Sequence, residues 1–256
     1  MFLPKPNPIA FTAFGLPIRW YGVLISVGIL IGLTIAYRRA PLHQIHSERV
    51  LDLTLISLPL GIIGARLYYV IFNWNYYEGD ILSVINLRSG GLAIHGGLLL
   101  GLSVAAVCCK LWNIKPLNLL DLMVPSIAIA QSIGRWGNYF NQEAHGGPTD
   151  LPWAIEINGE MVHPTFLYES IWCLILFFVL IFIDNRRSFN GQTFLLYGIL
   201  YSFERFFVEG LRTDSLMIGS LKMAQLISAI IFSIFLVVFI VMWRKYKRKK
   251  NLYSKL

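Results

Sequence analysis

The sequence predicts an all-α polytopic membrane protein with seven transmembrane helices in one bundle, and three observations support this fold class. Of the 256 residues, 56% are hydrophobic and only 14% are charged, whereas a soluble domain carries about 25% charged residues. The mean hydropathy is +0.60. The apolar residues are gathered into runs of roughly 20, which is the length that a helix needs to cross a bilayer.

Seven apolar runs are candidates for spanning helices. They cover about residues 20–37, 50–72, 91–112, 117–140, 166–184, 192–209 and 222–243. A basic tail follows over residues 244–256. The sequence contains no internal repeat and no linker, so we expect a single integral-membrane domain over residues 1–256.

The distribution of Lys and Arg among the loops predicts the orientation of the bundle. Fourteen of the 22 basic residues fall in one set of loops and the tail, five fall in the other set, and three fall within spans. The first set comprises Arg38, Arg39, Arg49, Lys110, Lys115, Arg186, Arg187 and the tail, and the second comprises Lys5, Arg19, Arg88, Arg212 and Lys222. Because cytoplasmic loops carry the excess of basic residues, the N-terminus is predicted to be outside and the C-terminus cytoplasmic. The basic tail is then expected to contact anionic membrane lipid rather than nucleic acid.

Several polar residues are predicted to lie near the outer face. Arg135, in the segment "GRWGNYFNQEAHGG", is about 27 Å above the cytoplasmic end of its span in a core about 30 Å thick. Arg66 and Arg205 lie about 22 Å and 20 Å above the cytoplasmic ends of their spans. His95 is about 6 Å below the outer end of its span, and Glu169 is near the outer start of the fifth span. We therefore expect polar groups from several spans to converge on the outer leaflet.

A polar stripe in the sixth span is the clearest of these features. Tyr201, Arg205, Glu209 and Arg212 are spaced four, four and three residues apart, so they share one helix face. A face with these charges does not point at lipid tails, and it is predicted to face the bundle interior or a watery pocket. Guanidinium groups match phosphate oxygens in pairs, so the stripe and Arg135 together predict a pocket for an anionic headgroup.

Simpler roles and a second class of function remain open at this point. Arg135 could be a paired structural charge, Arg66 could be a structural partner of Glu169 or Glu204, and His95 could be a packing residue among glycines. The protein could be an enzyme acting on a phospholipid or a transporter or channel for an anion. Transporters hold their ligands near the midplane between repeated, broken helices, and the sequence pattern favours the enzyme.

One segment resembles the signature of a known family. "GRWGNYFNQEAHG" is similar to the signature of the bacterial inner-membrane prolipoprotein diacylglyceryl transferases, which runs Gly-Arg-x-Gly-Asn-Phe-x-Asn-x-Glu-x-x-Gly. The matching residues are Gly134, Arg135, Gly137, Asn138, Asn141, Glu143 and Gly146, and Tyr139 replaces the usual Phe. Further similar segments follow the family's order: "IRWYG" at 18–22, "HGG" at 95–97, "HPTFLYE" at 163–169 and "YSFERFFVEGLR" at 201–212. The resemblance covers nearly the whole chain.

The resemblance implies a reaction and a set of site residues. The family moves the diacylglyceryl group of phosphatidylglycerol onto the lipobox cysteine thiol of a prolipoprotein held by its signal peptide, and glycerol phosphate leaves. It implies a site near the outer leaflet of the bacterial cytoplasmic membrane, with no cofactor and no metal. The implied catalytic residues are His95, Tyr201 and Arg205. The implied phosphatidylglycerol-binding residues are Tyr21, Arg135, Asn138, Glu143, Gly146, Glu209 and Arg212.

Overall fold

The computed structural model describes residues 6–87, 90–219 and 221–253, most of which are helical. The α-helices within these ranges are α1 (Trp20–Arg39), α2 (Ser47–Phe72), α3 (Ile81–Ile85), α4 (Ile94–Leu111), α5 (Pro116–Gly134), α6 (Trp136–Asn141), α7 (Thr165–Asp184), α8 (Gln192–Leu211) and α9 (Met223–Tyr253). The antiparallel hairpins are β1–β2 (Ile9–Ala13 and Leu16–Arg19), β3–β4 (Ile155–Ile157 and Glu160–Val162) and β5–β6 (Met217–Ile218 and Leu221–Lys222).

Six of the described helical segments are long and apolar enough to cross a membrane. They are Trp20–His43, Ser47–Phe72, Ile94–Leu111, Pro116–Asn141, Thr165–Asp184 and Met223–Leu252. They correspond to six of the seven predicted spans, as expected of a multi-pass membrane protein. The seventh predicted span, 192–209, is the helix α8, which has 20 residues like α7 but includes three charges, Glu204, Arg205 and Glu209. The count of seven spans and the orientation of the termini stay predictions.

The fold is mostly helical, but it is not all-α as predicted, because the described residues also form three β-hairpins. At the turn of β1–β2, Phe14 and Gly15 have φ angles of 50° and 78°, and at the turn of β3–β4, Asn158 and Gly159 have φ angles of 53° and 87°. Two consecutive residues with positive φ are typical of the type I′ turn, whose twist matches that of paired strands. The strands are only two to five residues long, so a search for apolar runs of helical length does not detect them.

Two helices differ from the predicted spans at their ends. The last helix, α9, continues from Met223 through most of the basic tail to Tyr253, because that tail contains neither Gly nor Pro and Lys and Arg favour helix. The predicted span 117–140 is interrupted at Arg135, between Gly134 at the end of α5 and Trp136 at the start of α6. Arg135 therefore lies at a junction of two helices.

The chain divides into two compact units, one formed by residues up to 35 and from 120 onward, and the other by residues 36–119. In the second unit, α2 and α4 approach closely where glycines face each other. A Cβ on Gly97 would lie 3.2 Å from the carbonyl oxygen of Gly61, and a Cβ on Gly96 would overlap the carbonyl of Gly64. The glycines beside His95 therefore permit close packing of α2 against α4, which was one of the two roles left open for this segment.

Arg66 of α2 has a structural role within the second unit. Its guanidinium donates hydrogen bonds of 2.6–3.0 Å to the backbone carbonyl oxygens of Ser83, Val84, Gly90 and Gly91. These bonds satisfy an intramembrane charge with backbone dipoles. The hydrogen-bond partners of Arg66 within this unit are thus carbonyl groups rather than a glutamate.

In the first unit, the start of α8 is fixed to α5 by a buried acid. The carboxylate of Asp121 accepts hydrogen bonds from the backbone N–H groups of Gly191 at 2.6 Å and Phe194 at 2.9 Å. These are donors of the first helical turn, which an acceptor must satisfy when they are buried. The helix α8 also packs against α7 and α9. The position of α8 against α5 is therefore set at its first turn, towards the opposite end of the helix from Arg205 and Glu209.

Candidate active site

Glu169 of α7 is the centre of a charge cluster in the first unit. Its side chain is 3% exposed, and Nη1 of Arg135 lies 2.8 Å from its Oε2. Nη1 of Arg205 contacts the other oxygen, Oε1. One carboxylate thus binds guanidinium groups from the α5–α6 junction and from α8. A buried charge that loses its partner is costly, so this contact ties three helices together.

The predicted polar stripe of α8 is confirmed as one helix face for Tyr201, Arg205 and Glu209, whereas Arg212 lies just past the end of the helix in extended backbone. Nη2 of Arg205 lies 2.5 Å from Oε2 of Glu209, and Nε of Arg212 lies 3.9 Å from the same oxygen. Arg212 also forks Asp214 with two hydrogen bonds, of 2.9 Å to Oδ1 and 2.8 Å to Oδ2. These hydrogen bonds hold the pKa of Asp214 below its ordinary value. Arg205 of this face and Arg212 beyond it are therefore both paired with carboxylates.

Tyr201 connects the α8 face to Arg135. Nη2 of Arg135 lies 3.4 Å from the hydroxyl oxygen of Tyr201, while its Nη1 contacts Glu169. The two terminal nitrogens of this guanidinium therefore have different partners on different helices. The planar fork is held in one orientation, which a single ammonium group in its place would not reproduce.

The cluster is electrically balanced. Its members in the described residues are three guanidinium groups and three carboxylates: Arg135, Arg205, Arg212, Glu169, Glu209 and Asp214. The sequence predicted that Glu169 lies near the outer face with Arg135 and Arg205, but it named neither Glu169 nor Asp214 as a residue of the site. An anion that binds here therefore enters a site whose charges are already paired and oriented.

Glu204 is a buried carboxyl beside this cluster. The residue is 6% exposed, and neither of its side-chain oxygens has a hydrogen-bond partner among the described residues. Burying a polar group without such a partner costs roughly 1–3 kcal/mol in proteins. The position is therefore a source of instability in α8.

Replacing Glu204 with leucine is expected to stabilise the protein. Removal of the unsatisfied carboxyl should raise the free energy of unfolding by roughly 1–3 kcal/mol, measured as a higher midpoint of thermal denaturation in detergent. Glu160→Leu is the control, because Glu160 is exposed in β4, and its midpoint should stay close to that of the parent protein. A lower midpoint for Glu204→Leu would mean that the carboxyl has a partner on which the fold depends.

Asn138 and Glu143 hold the turn that follows α6. Oε1 of Glu143 accepts hydrogen bonds from Nδ2 of Asn138 at 3.0 Å and Nδ2 of Asn141 at 3.2 Å. The backbone N–H of Glu143 donates to the carbonyl of Asn138 at 3.1 Å. The structure places these two predicted binding residues against each other, directly after the helix that begins beside Arg135.

Gly146 lies where three segments of the first unit meet. Its N–H donates to the carbonyl of His163 at 2.9 Å, and the N–H of Gly147 donates to the carbonyl of Leu211 at 3.0 Å. Gly146 also forms an antiparallel bridge with Arg212. A Cβ on Gly146 would lie 2.6 Å from the Cβ of His163, so a larger residue requires the segments to separate. Gly146 thereby fixes the backbone that carries Arg212.

Tyr21 and His95 are the remaining predicted residues. Tyr21, at the start of α1, places its ring over Gly137 of α6, where a Cβ would overlap the ring, and it belongs to the unit that contains the cluster. His95 belongs to the second unit, where it is an exposed residue in the first turn of α4. Its ring centroid is 6.1 Å from that of Tyr68.

The structure also identifies a residue that the sequence assigned only to a loop. Nζ of Lys222 donates to the carbonyl oxygens of Glu209 at 2.9 Å, Gly210 at 3.0 Å and Arg212 at 2.5 Å. It therefore caps the C-terminal end of α8, where a cation is favourable. Its spacing in the sequence carries no signal for this role. Glu169 did carry a signal, because a carboxylate near the end of a span requires a partner.

The fold and the site define a multi-pass membrane protein with a paired-guanidinium site suited to an anionic group. A family model described as prolipoprotein diacylglyceryl transferase matches residues 8–242. Proteins named phosphatidylglycerol–prolipoprotein diacylglyceryl transferase are similar to this chain. The relative from Finegoldia magna is 48% identical over 242 residues (94% of this chain and 96% of that protein), the one from Clostridioides difficile is 49% identical over 222 residues (87% and 90%), and the one from Staphylococcus aureus is 44% identical over 262 residues (97% and 93%). The chain belongs to the prolipoprotein diacylglyceryl transferase family.

Proposed function

We propose that this protein transfers the diacylglyceryl group of phosphatidylglycerol to the lipobox cysteine of prolipoproteins. The thiol sulfur attacks the carbon of the diacylglyceryl group that is bonded to a phosphate oxygen. A carbon–sulfur bond forms while this carbon–oxygen bond breaks. The thiol gives up its proton, and glycerol phosphate leaves with the bonding electron pair. The observation that carries this proposal is the meeting of Arg135 and Arg205 on Glu169, in a chain of this family.

The arginines suit the charge that develops in this reaction. Negative charge grows on the phosphate as the carbon–oxygen bond breaks, and oriented cations lower the barrier most where charge develops. Each guanidinium has five N–H donors, so Arg135 and Arg205 can bind phosphate oxygens while retaining contact with Glu169. Glu169 therefore holds the two cations at one place before the lipid arrives.

The other site residues support these two arginines. Tyr201 orients the fork of Arg135, and Glu209 pairs with Arg205. Arg212 supplies a third guanidinium at the end of α8. The backbone of α6 and of the loop after it forms one wall of the site, and its position is set by four residues: Tyr21, Asn138, Glu143 and Gly146. We assign these four to phosphatidylglycerol binding through the position of that wall.

An anion transporter would use the same guanidinium groups, but it would leave the lipid intact. The relatives described above are all named as transferases. The transfer reaction separates the two functions, because only an enzyme joins part of the lipid to the peptide.

The test is incubation of the purified protein with phosphatidylglycerol and a lipobox peptide, followed by mass spectrometry. The peptide should gain the mass of one diacylglyceryl group, and glycerol phosphate should appear in equal amount. Phosphatidylethanolamine in place of phosphatidylglycerol, and a peptide with serine in place of the cysteine, are the controls. Binding of phosphatidylglycerol without any modified peptide would contradict the transferase and favour the transporter.

We also propose a placement in the membrane: one domain over residues 1–256 with seven spans, in the bacterial cytoplasmic membrane, with the site near the outer leaflet. α8 supplies the seventh span, since its charged face is turned to Glu169 of α7. Of the basic residues that predict orientation, Lys5, Arg88 and Lys255 lie outside the described residues. The prolipoprotein signal peptide would then present its cysteine at the outer surface.

Cysteine labelling in intact cells should report this orientation. The three native cysteines, Cys108, Cys109 and Cys173, are buried and free, so a variant without them is the starting point. Single cysteines placed between residues 148 and 152 should react with an impermeant thiol reagent, and those placed at Lys115 or Lys250 should react only after lysis. Reaction at Lys250 in intact cells would place the arginine cluster near the inner leaflet.

We propose His95 as the base that accepts the thiol proton. His95→Gln should then lower the rate of peptide modification more than it weakens binding of phosphatidylglycerol, because a base acts in the transition state. Initial rates and the dissociation constant for phosphatidylglycerol are measured at equal amounts of folded protein. If His95→Gln lowers only the folded yield and the surviving protein keeps the parent rate, His95 has a packing role and is not the base.

A further inference from the structure

Two polar contacts join α8 to the C-terminal end of α5 and to Arg135 directly after it, and they lie one helical turn apart. Nη2 of Arg135 donates to the hydroxyl of Tyr201 at 3.4 Å, and the hydroxyl of Tyr197 donates to Oε1 of Gln131 at 2.8 Å. Gln131 precedes Arg135 by one turn, and Tyr197 precedes Tyr201 by one turn. We call these four residues the two-rung ladder.

The ladder is connected along each helix as well as across it. The N–H of Arg135 donates to the carbonyl of Gln131 at 3.0 Å. The rings of Tyr197 and Tyr201 are stacked, with centroids 5.5 Å apart and an interplanar angle of 11°. A movement of Tyr197 therefore displaces the ring whose hydroxyl receives Nη2 of Arg135.

The contact between Gln131 and Tyr197, which we call the lower rung, is stronger than the contact between Arg135 and Tyr201, the upper rung. Its oxygen–oxygen distance of 2.8 Å is ideal for a hydroxyl donor, whereas the upper rung, at 3.4 Å, is long. A helical slip of one turn would shift α8 by about 5.4 Å along α5 and would set Tyr197 opposite Arg135. The Gln131–Tyr197 bond exists only in the register that sets Tyr201 opposite Arg135.

We propose that Gln131 and Tyr197 are positioning residues for Arg135, which fix the register of α5 against α8 so that Arg135 and Arg205 meet on Glu169. This positioning role rests on the function proposed above, because the contact of both arginines with Glu169 serves to bind the lipid phosphate only in that function. Neither residue belongs to the charge cluster, and neither carries a formal charge. Their effect on the reaction passes through Tyr201 and the orientation of the Arg135 fork.

Docking of α8 does not depend on the ladder alone. Asp121 of α5 holds the first turn of α8 through Gly191 and Phe194. The indole N–H of Trp172 in α7 donates to the carbonyl of Leu200 at 3.2 Å. Loss of the lower rung should therefore leave the helices packed while the depth and orientation of Arg135 become less defined. A positioning role can then be separated from a folding role.

The experiment compares Tyr197→Phe with the double variant Gln131→Leu/Tyr197→Phe in the transfer assay. The single variant keeps the stacked ring but leaves the Gln131 carbonyl unsatisfied, whereas the double variant removes both polar groups and should fold nearly as well as the parent. We expect the KM for phosphatidylglycerol to rise about two- to tenfold in both variants, the size of one hydrogen bond. The KM for the peptide should be unchanged. Tyr37→Phe, which changes an exposed tyrosine of α1, is the control.

Two results would overturn the positioning role. One is an unchanged KM for phosphatidylglycerol in both variants at full folded yield. The other is a KM that rises in Tyr197→Phe but returns to the parent value in the double variant together with the thermal midpoint, which would indicate a folding role only. If the parent protein transfers no lipid, the proposed function fails. The ladder is then tested by the dissociation constant for phosphatidylglycerol in detergent micelles, which should rise by the same factor.

Discussion

Arg135→Lys is expected to lower kcat/KM for phosphatidylglycerol roughly ten- to a hundredfold while the protein inserts into the membrane normally. In the structure, Nη1 of Arg135 binds Glu169 at 2.8 Å and Nη2 lies 3.4 Å from the Tyr201 hydroxyl. Lysine keeps the positive charge but offers one compact ammonium, which does not span both partners and does not fork a phosphate. The loss of one charge-assisted hydrogen bond costs about 1.5–3 kcal/mol, which corresponds to that factor in rate.

The measurement is the initial rate of peptide modification over a range of lipid concentrations, with the amount of folded protein determined in the same membranes. Arg49→Lys is a matched control, because Arg49 forms an exposed ion pair with Asp52, and such pairs contribute little. Near-normal activity of Arg135→Lys would reduce Arg135 to a cation that neutralises Glu169. An equal loss in Arg49→Lys would point to a general effect on the membrane protein.

Glu169→Gln should have the largest effect on stability of any single change in the cluster. The substitution preserves the shape of the side chain but leaves Arg135 and Arg205 without the carboxylate that each of them contacts. Breaking a buried ion pair by removal of one partner costs about 3–5 kcal/mol, because the other charge stays buried. The expected result is a strongly lowered folded yield and a lower midpoint of thermal denaturation.

An added anion gives a second readout for this variant. Phosphatidylglycerol should raise the midpoint of Glu169→Gln more than it raises that of the parent protein, since the lipid phosphate supplies the missing negative charge. Glu160→Gln, in the exposed strand β4, should behave like the parent. If Glu169→Gln keeps a normal midpoint in a neutral detergent, the two arginines are satisfied by other groups and Glu169 is not the centre of the cluster.

Local patterns in the sequence determined the class of protein and part of the site. Apolar runs of spanning length predicted seven spans, and the described residues have a helix in nearly the same place as each of them, six of which are long and apolar enough to cross a membrane. The spacing of Tyr201, Arg205 and Glu209 predicted their common face, because a helix repeats every 3.6 residues whatever surrounds it. The sequence also contained a signal for the β3–β4 hairpin, because the dipeptide Asn158–Gly159 favours a type I′ turn. A search for apolar runs of spanning length missed it, since the strands on either side are only three residues long.

Only the tertiary structure decided which charges meet. Glu169 lies in α7, Arg135 at the end of α5 and Arg205 in α8, and nothing in their spacing along the chain places them at one carboxylate. The same holds for Gln131 and Tyr197, whose hydrogen bond depends on the register of two helices. A helix repeat fixes which residues share a face, but the pairing of faces is set by side-chain packing, by glycines that permit close approach and by caps such as Asp121. The sequence could therefore predict a binding site for an anion, and the packing of α5, α7 and α8 determined which residues build it.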